Sequence, residues 1–245
     1  MDIENYIESW NVMADDLDIS VGNNGNRFQR ELLFPATLHL LNPKSEERIL
    51  EIACGNGVFA RHLAMLGAKV VAFDYSPKMI SYAQKNCALY NDNISLFEID
   101  ATQYNQVIAL GKDIPFDKAV ANMMVMNIPD IAPLFHAVYN ILVPNGLFVF
   151  SVVHPCFQTP SKEYISDGLG LGIYHYIETQ YCIEPVYKKP VWHWHRPLQD
   201  LLQNCFKAGF VLDGIEEPVC KLDTGVYSHP IWEQLPLIIV FRLRK

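Results

Sequence analysis

The sequence predicts an open α/β domain, a mostly parallel sheet doubly wound with helices on both faces. Three observations carry that expectation. Short apolar runs alternate with amphipathic segments from residue 48 onwards, glycine or proline turns separate them, and glycine or acidic residues stand just after the apolar runs. Repeated strand–helix units bury their strands on both sides, which makes each strand a continuous apolar run.

The elements follow in order. Residues 4–17 space Tyr6, Ile7, Trp10, Met13, Ala14 and Leu17 along one face of a helix. Asn23-Asn-Gly-Asn26 is a turn cluster, and residues 31–41 form a second predicted helix ended by Asn42-Pro43. Residues 48–53 are the first strand, followed by a helix over 58–66 that Gly67 closes. Residues 68–73 are the second strand. Ser76 and Pro77 then supply an N-cap and a first-turn proline for a helix reaching about residue 89. Strands are predicted over 95–99, 116–121 and 147–153, the last preceded by a helix over 133–142 and a Pro144-Asn-Gly146 turn. Residues 155–197 break the rhythm, being rich in proline, glycine and aromatic residues without a period. The alternation returns with a helix over 198–208 ended by Gly209, a strand over 210–215 and a final strand over 237–243. One domain is expected: a helical cap over 1–42, a cofactor-binding core over 43–153, a substrate-side insertion over 154–197, and a closing helix and strands over 198–245.

Composition narrows the function. Of the 245 residues, 50% are apolar and 19% charged, ordinary for a chain with a large core. The net charge of −8 disfavours nucleic acid, whose binding leans on phosphate neutralisation by basic side chains. The acidic N-terminus lacks the basic and apolar regions of a signal peptide, and no apolar run approaches the roughly 18 residues of a membrane span. A soluble, cytoplasmic protein is expected. The six cysteines are scattered without a Cys-x-x-Cys pair, which favours free thiols over disulfides or zinc.

Ligands of such sheets sit beyond the C-terminal strand ends. The first predicted end is Ala53-Cys-Gly-Asn-Gly57, where Gly55 and Gly57 let backbone approach a ligand and turn into the next helix. The second is Phe73-Asp74, placed to accept from ribose hydroxyls, and the third is Ile99-Asp100-Ala101. Two nucleotide readings compete for the glycine turn. A dinucleotide would lay its pyrophosphate on the helix N-terminus. Glu51, just before the loop, repels a diphosphate but accepts from an ammonium group, so charge favours a methyl donor with a positive amino-acid end.

Glu51-Ile-Ala-Cys-Gly-Asn-Gly57 resembles motif I of the class I S-adenosylmethionine-dependent methyltransferases, written Asp/Glu-x-Gly-x-Gly-x-Gly. Val71-Ala-Phe-Asp-Tyr-Ser-Pro-Lys-Met79 is similar to the family segment whose acid binds ribose and whose Met packs near the cofactor. Ile99-Asp-Ala101 is similar to the adenine site, Phe116-Asp-Lys-Ala-Val-Ala-Asn-Met123 to strand four, and Leu142-Val-Pro-Asn-Gly-Leu-Phe148 to the turn into strand five. The resemblance covers about residues 48–153. It implies a Rossmann-like, seven-stranded, mostly parallel sheet with an antiparallel last strand, and S-adenosylmethionine as cofactor. The implied cofactor contacts are Glu51, Ala53, Cys54, Gly55, Gly57, Asp74, Tyr75, Ser76, Met79, Asp100, Ala101, Asn122 and Met123. Trp10, Arg27 and Arg30 are placed to close over the cofactor's carboxylate end. Ala53 departs from the pattern, which has glycine there; its methyl group narrows the floor, so that either the loop shifts or affinity falls.

A sulfonium methyl is already activated, so alignment of the acceptor and exclusion of water dominate and no universal catalytic residue is expected. His154-Pro-Cys-Phe157 follows strand five, and Val191-Trp-His-Trp-His-Arg-Pro197 ends the insertion; together they resemble a small-molecule subgroup of the family. His154, Trp194, His195 and Arg196 are the candidate substrate contacts. His154 alternatively caps the strand, and Arg196 either anchors the insertion or receives an anionic substrate. His193 and His195 lack a third partner at metal spacing, so no metal is expected. The expected acceptor is a small, partly aromatic or apolar molecule; an RNA or protein acceptor, and less so a dinucleotide oxidoreductase, stay open.

Overall fold

The computed structural model describes residues 3–165, 170–186, 189–220 and 229–245. Residues 1–2, parts of the predicted insertion (166–169 and 187–188) and residues 221–228 of the predicted closing segment lie outside them. Seven strands form one sheet: β1 (Arg48–Ile52), β2 (Lys69–Asp74), β3 (Ile94–Glu98), β4 (Phe116–Ala121), β5 (Leu142–Val153), β10 (Val211–Glu216) and β11 (Ile238–Arg244). Their order is β10-β11-β5-β4-β1-β2-β3. Neighbours from β5 to β3 pair in parallel, while β11 is antiparallel to both β5 and β10. This is the expected Rossmann-like sheet, and strand order reverses between β1 and β4.

Helices α3 (Val58–Met65), α4 (Pro77–Asn86), α5 (Tyr104–Gly111), α6 (Ala132–Ile141) and α7 (Leu198–Ala208) connect the strands. α5 has no counterpart in the sequence reading: in Tyr104–Gly111 only Val107 and Gly111 are buried, too few for a visible stripe. α7 coincides with its predicted span and ends at Gly209, in the left-handed conformation with φ 105°. The predicted turn at 144–146 persists inside β5. Leu142 pairs with Phe116 and Leu147 with Lys118, so the intervening residues bulge out, with Asn145 at φ 62°.

Before the sheet come α1 (Ile3–Val21) and α2 (Phe34–Leu41). The predicted helix over 31–41 proves to be two pieces, because Gln29–Leu33 is a π-helical turn and the Phe34 N–H bonds the Gln29 carbonyl. Pro35 has no N–H to continue an α-ladder there, so the turn widens. The described part of the insertion holds two antiparallel strand pairs, β6 (Lys162–Tyr164) with β7 (Leu171–Ile173) and β8 (Gln180–Val186) with β9 (Lys189–His195). Lys189 ties the second pair to α1, donating to the Val12 carbonyl at 2.7 Å and pairing with Asp16 at 2.6 Å. Among the described residues no helix is long and apolar enough to cross a membrane.

The core lies on both sides of the sheet. Phe135 on α6 packs edge-on against Phe148 at 5.6 Å, and Phe150 meets Phe241 across β5 and β11 at 5.1 Å. These rings fix the height of β4 and β5, whose C-terminal ends open onto the site.

Candidate functional site

The turn after β1 holds three left-handed residues: Ala53 at φ 55°, Gly55 at φ 56° and Gly57 at φ 78°. A Cβ on Gly57 would lie 2.7 Å from Cys87 Sγ, so glycine there lets α3 start against the end of α4. A Cβ on Gly55 would meet nothing within 4 Å, because that face of the loop opens into a cavity. Ala53 keeps the loop's path by adopting the conformation glycine tolerates, at about 1–2 kcal/mol of strain.

Asp74, at the end of β2, holds this loop. Its carboxylate accepts from the Gly55 N–H at 2.8 Å and from the Ser76 N–H at 2.9 Å. Ser76 caps α4 by accepting from the Met79 N–H at 3.1 Å, and its hydroxyl bonds Asn11 on α1. Asn56 bonds Asp18 of α1 at 2.8 Å, and Lys78 pairs with Asp15 at 2.7 Å. The N-terminal helix is thereby pinned over the strand ends.

Three carboxylates line this end of the site. Glu51 is 3% exposed and its Oε2 has no hydrogen-bond partner. Burial, then the nearby Asp74, pushes its carboxyl well above the usual range. Burial also raises Asp74, against the pull of its backbone N–H donors. Cys54 is an inert thiol, pushed up by burial and by both carboxylates. Asp100 accepts from the backbone and the hydroxyl of Thr102, each at 2.8 Å, closing the turn after β3. Past β4, Asn122 Oδ1 accepts from Thr37 at 2.9 Å and Ser151 at 3.3 Å, leaving Nδ2 buried without a partner. Met123 follows at φ 54°, its N–H held by the Ser151 hydroxyl at 2.9 Å.

A cavity of about 920 Å³ extends from these strand ends under α1, the π turn and the insertion. Its wall brings together Trp10, Arg27, Glu51, Ala53, Cys54, Gly55, Asp74, Tyr75, Ser76, Met79, Asp100, Ala101, Asn122, Met123, Trp194 and His195. It does not include Gly57, Arg30, His154 or Arg196. Arg30 instead bonds the Gly25 carbonyl. His154 is 2% exposed, with Nε2 on Glu217 at 2.7 Å and Nδ1 accepting from the Cys156 N–H at 3.2 Å. That arrangement fits a neutral ring, and burial lowers its pKa more than Glu217 raises it. Arg196 is spent on carbonyls of the loop after β4: Val125 at 3.3 Å, Ile128 at 2.6 Å and Pro129 at 2.7 Å. Burial lowers its pKa to about 10, so it stays charged at neutral pH. Both side chains thus brace the fold beside the cavity, the capping and anchoring alternatives of the sequence reading.

The sequence reading missed Gln29, Leu33 and Phe34 in the π turn, Met124, Met126 and Asn127 after β4, and Gln158, Pro160 and Lys162 in the insertion. A proline shortly after a turn was the available signal for the first group; isolated residues in an aperiodic segment give none for the last. His195 lines the cavity with its Nε2 at 2.8 Å from the Tyr176 carbonyl. A carbonyl only accepts, so Nε2 donates this bond, and in the neutral tautomer that makes it Nδ1 carries the lone pair.

The strand-end residues suit a ligand with a positive group and no phosphate. Glu51 Oε2 waits for a donor, Asn122 Nδ2 for an acceptor, and the neighbouring acids are Asp74 and Asp100. A diphosphate would meet carboxylates there without a cation to offset them.

Comparison with known proteins agrees. A family model described as a methyltransferase domain matches residues 49–146. The ubiquinone biosynthesis O-methyltransferase of Xanthomonas campestris pv. campestris is 27% identical over 158 residues, 57% of this chain and 63% of that one. The chain thus spans under two thirds of that relative's length. An S-adenosylmethionine-dependent methyltransferase from Mesorhizobium loti superposes with a TM-score of 0.73 at 24% identity, over 91% of this chain and 100% of that one. The DhpI–SAH complex superposes with a TM-score of 0.61 at 18% identity, over 99% and 96%. Residues 49–146 thus match a methyltransferase domain, and the sheet that carries the strand-end site has the Rossmann-like fold of the class I S-adenosylmethionine-dependent methyltransferases.

Proposed function

We propose that the chain methylates a small-molecule acceptor, held in the part of the cavity that the insertion closes. The observation that carries this reading is that one continuous cavity joins the strand-end carboxylates to Trp194 and His195 of β9. At about 920 Å³ it lies near the top of the roughly 300–1,000 Å³ range of small-molecule pockets, which leaves room for an acceptor beside a nucleoside. The acidic chain, at −8, adds to the case against a polyanionic acceptor.

Bound S-adenosylmethionine supplies a sulfonium methyl group that an acceptor lone pair takes by in-line displacement, leaving S-adenosylhomocysteine. Glu51 Oε2 receives the ammonium of the amino-acid end and Asn122 Nδ2 its carboxylate, each satisfying a buried group that otherwise has no partner. Asp74 accepts from ribose hydroxyls and Asp100 from the adenine amine, while Met79 and Ala101 give apolar contact. Cys54, Gly55, Tyr75 and Ser76 shape the loops around the nucleoside, and Trp10 and Arg27 cover it from the N-terminal side. Gly57 acts one step back, through the packing of α3. On the acceptor side, Trp194 gives an aromatic wall, and His195 Nδ1 accepts a hydrogen bond from the reacting hydroxyl or amine. The α1–β9 contact excludes water, whose removal strengthens these interactions.

A metabolite-library screen for methyl transfer tests this reading. Products in the small-molecule pool are expected; a protein that methylates only bulk tRNA or protein overturns it.

A further inference from the structure

Resting on that reading, we infer that the acceptor is an organic anion whose acidic group is received by Lys162 and Gln158 at the insertion end of the cavity. Lys162, on β6, lines the cavity, and its side-chain ammonium makes no hydrogen bond or ion pair with any described residue. The other cation in the wall, Arg27, is already neutralised: its Nε lies 3.0 Å from both carboxylate oxygens of Glu31. Gln158 adds a second donor on the same side, because its Nε2 is buried and has no partner. Both residues belong to the wall of one space, and neither donor has an acceptor among the described residues, which leaves the acceptor to the ligand.

The layout of charge points the same way. Glu51, Asp74 and Asp100 belong to the ends of β1, β2 and β3, whereas Lys162 and Gln158 follow β5. In the strand order β5-β4-β1-β2-β3, the cation therefore enters from the side opposite β2 and β3. One end of the cavity is negative and suits the cationic amino group of the cofactor; the other is positive and suits an anion. The chain as a whole carries −8, so its general field does not attract anions and a dedicated cation is needed. Arg196 does not fill that role, because its guanidinium is committed to backbone carbonyls. Pro160 and Trp194 flank the same region and give the anion an apolar body to rest on. The chemistry expected is a carboxylate or similar acid on a compact, partly apolar frame that also bears a protic group facing His195.

The test uses the full chain saturated with S-adenosylhomocysteine and matched probes that differ in charge alone: benzoate against benzamide, and salicylate against salicylamide. Calorimetry should find each carboxylate bound roughly tenfold or more tighter than its amide. Lys162→Met should erase that preference and Lys162→Arg should keep it, with the affinity for S-adenosylhomocysteine unchanged in both. Amides bound as tightly as carboxylates, a preference that survives Lys162→Met, or no carboxylate binding at all would overturn the inference. A neutral metabolite methylated efficiently by the Lys162→Met protein would also overturn it while leaving the small-molecule reading intact; label confined to RNA or protein would overturn both.

Discussion

Asp74 accepts a hydrogen bond from the Gly55 N–H at 2.8 Å, so the carboxylate that ends β2 fixes the turn that leaves β1. Asp74 also lines the cavity, so the group that supports the loop stands where we propose the ribose binds. Asp74→Asn should weaken S-adenosylhomocysteine binding by roughly 1–3 kcal/mol, since the amide accepts at one atom where the carboxylate accepts at two. Calorimetry measures this, and an unchanged affinity would remove Asp74 from the cofactor site.

The glycine turn separates binding from folding. Gly55→Ala puts a methyl group into the open cavity, so the protein should fold while its cofactor affinity falls. Gly57→Ala drives a methyl group to 2.7 Å from Cys87 Sγ at a left-handed residue, and should destabilise the fold by about 2 kcal/mol or more. Ala53→Gly should raise stability by about 0.5–1 kcal/mol by releasing strain at φ 55°. Thermal unfolding and calorimetry on the three variants check the pattern; equal effects at positions 55 and 57 would contradict it.

Glu51 links the cofactor to protons. Burial and the nearby Asp74 hold its carboxyl well above the usual range in the free protein. A raised folded-state pKa favours folding at low pH, and that contribution is lost as pH rises through the folded value. A cationic ammonium beside Glu51 favours the carboxylate, so binding should release a proton. Calorimetry in two buffers of different ionisation enthalpy should then give different apparent enthalpies, and Glu51→Gln should remove the difference. Identical enthalpies for the wild-type protein would contradict the placement of the ammonium at Glu51.

Arg196 braces the loop after β4 through three carbonyls. Arg196→Met should destabilise the protein by about 2–4 kcal/mol, and Lys should rescue little because it lacks the fork that spans several acceptors. Denaturant unfolding checks this. Full stability with lost acceptor binding would return Arg196 to the substrate contacts.

The strand-end side of the cavity was legible because each part combines a local rule with a fixed place in the chain. A strand end followed by Glycine-rich residues, then an acid after β2, is visible without any long-range contact, and Gly55, Asp74 and Asp100 all line one cavity. The α7 span was legible for a similar reason: a clear apolar stripe closed by Gly209. The insertion side of the cavity was not. Lys162 and Gln158 stand in a segment without a period, and only the tertiary arrangement of the insertion brings them into the cavity wall. For His154 and Arg196 the sequence left two roles open, and their side chains bond Glu217 and backbone carbonyls beside the cavity. Sequence position fixes where a residue starts; hydrogen-bond demand decides where its side chain ends.

Following the methyl group itself tests the central claim most directly. S-adenosylmethionine labelled in its methyl group is incubated with the protein and a cell extract, and the label is traced into small molecules, RNA and protein. Label should accumulate in the small-molecule fraction, carried by anionic compounds, and should fall when Asp74→Asn replaces the wild-type protein. Label found only in RNA or protein would contradict a cavity built for a small acceptor.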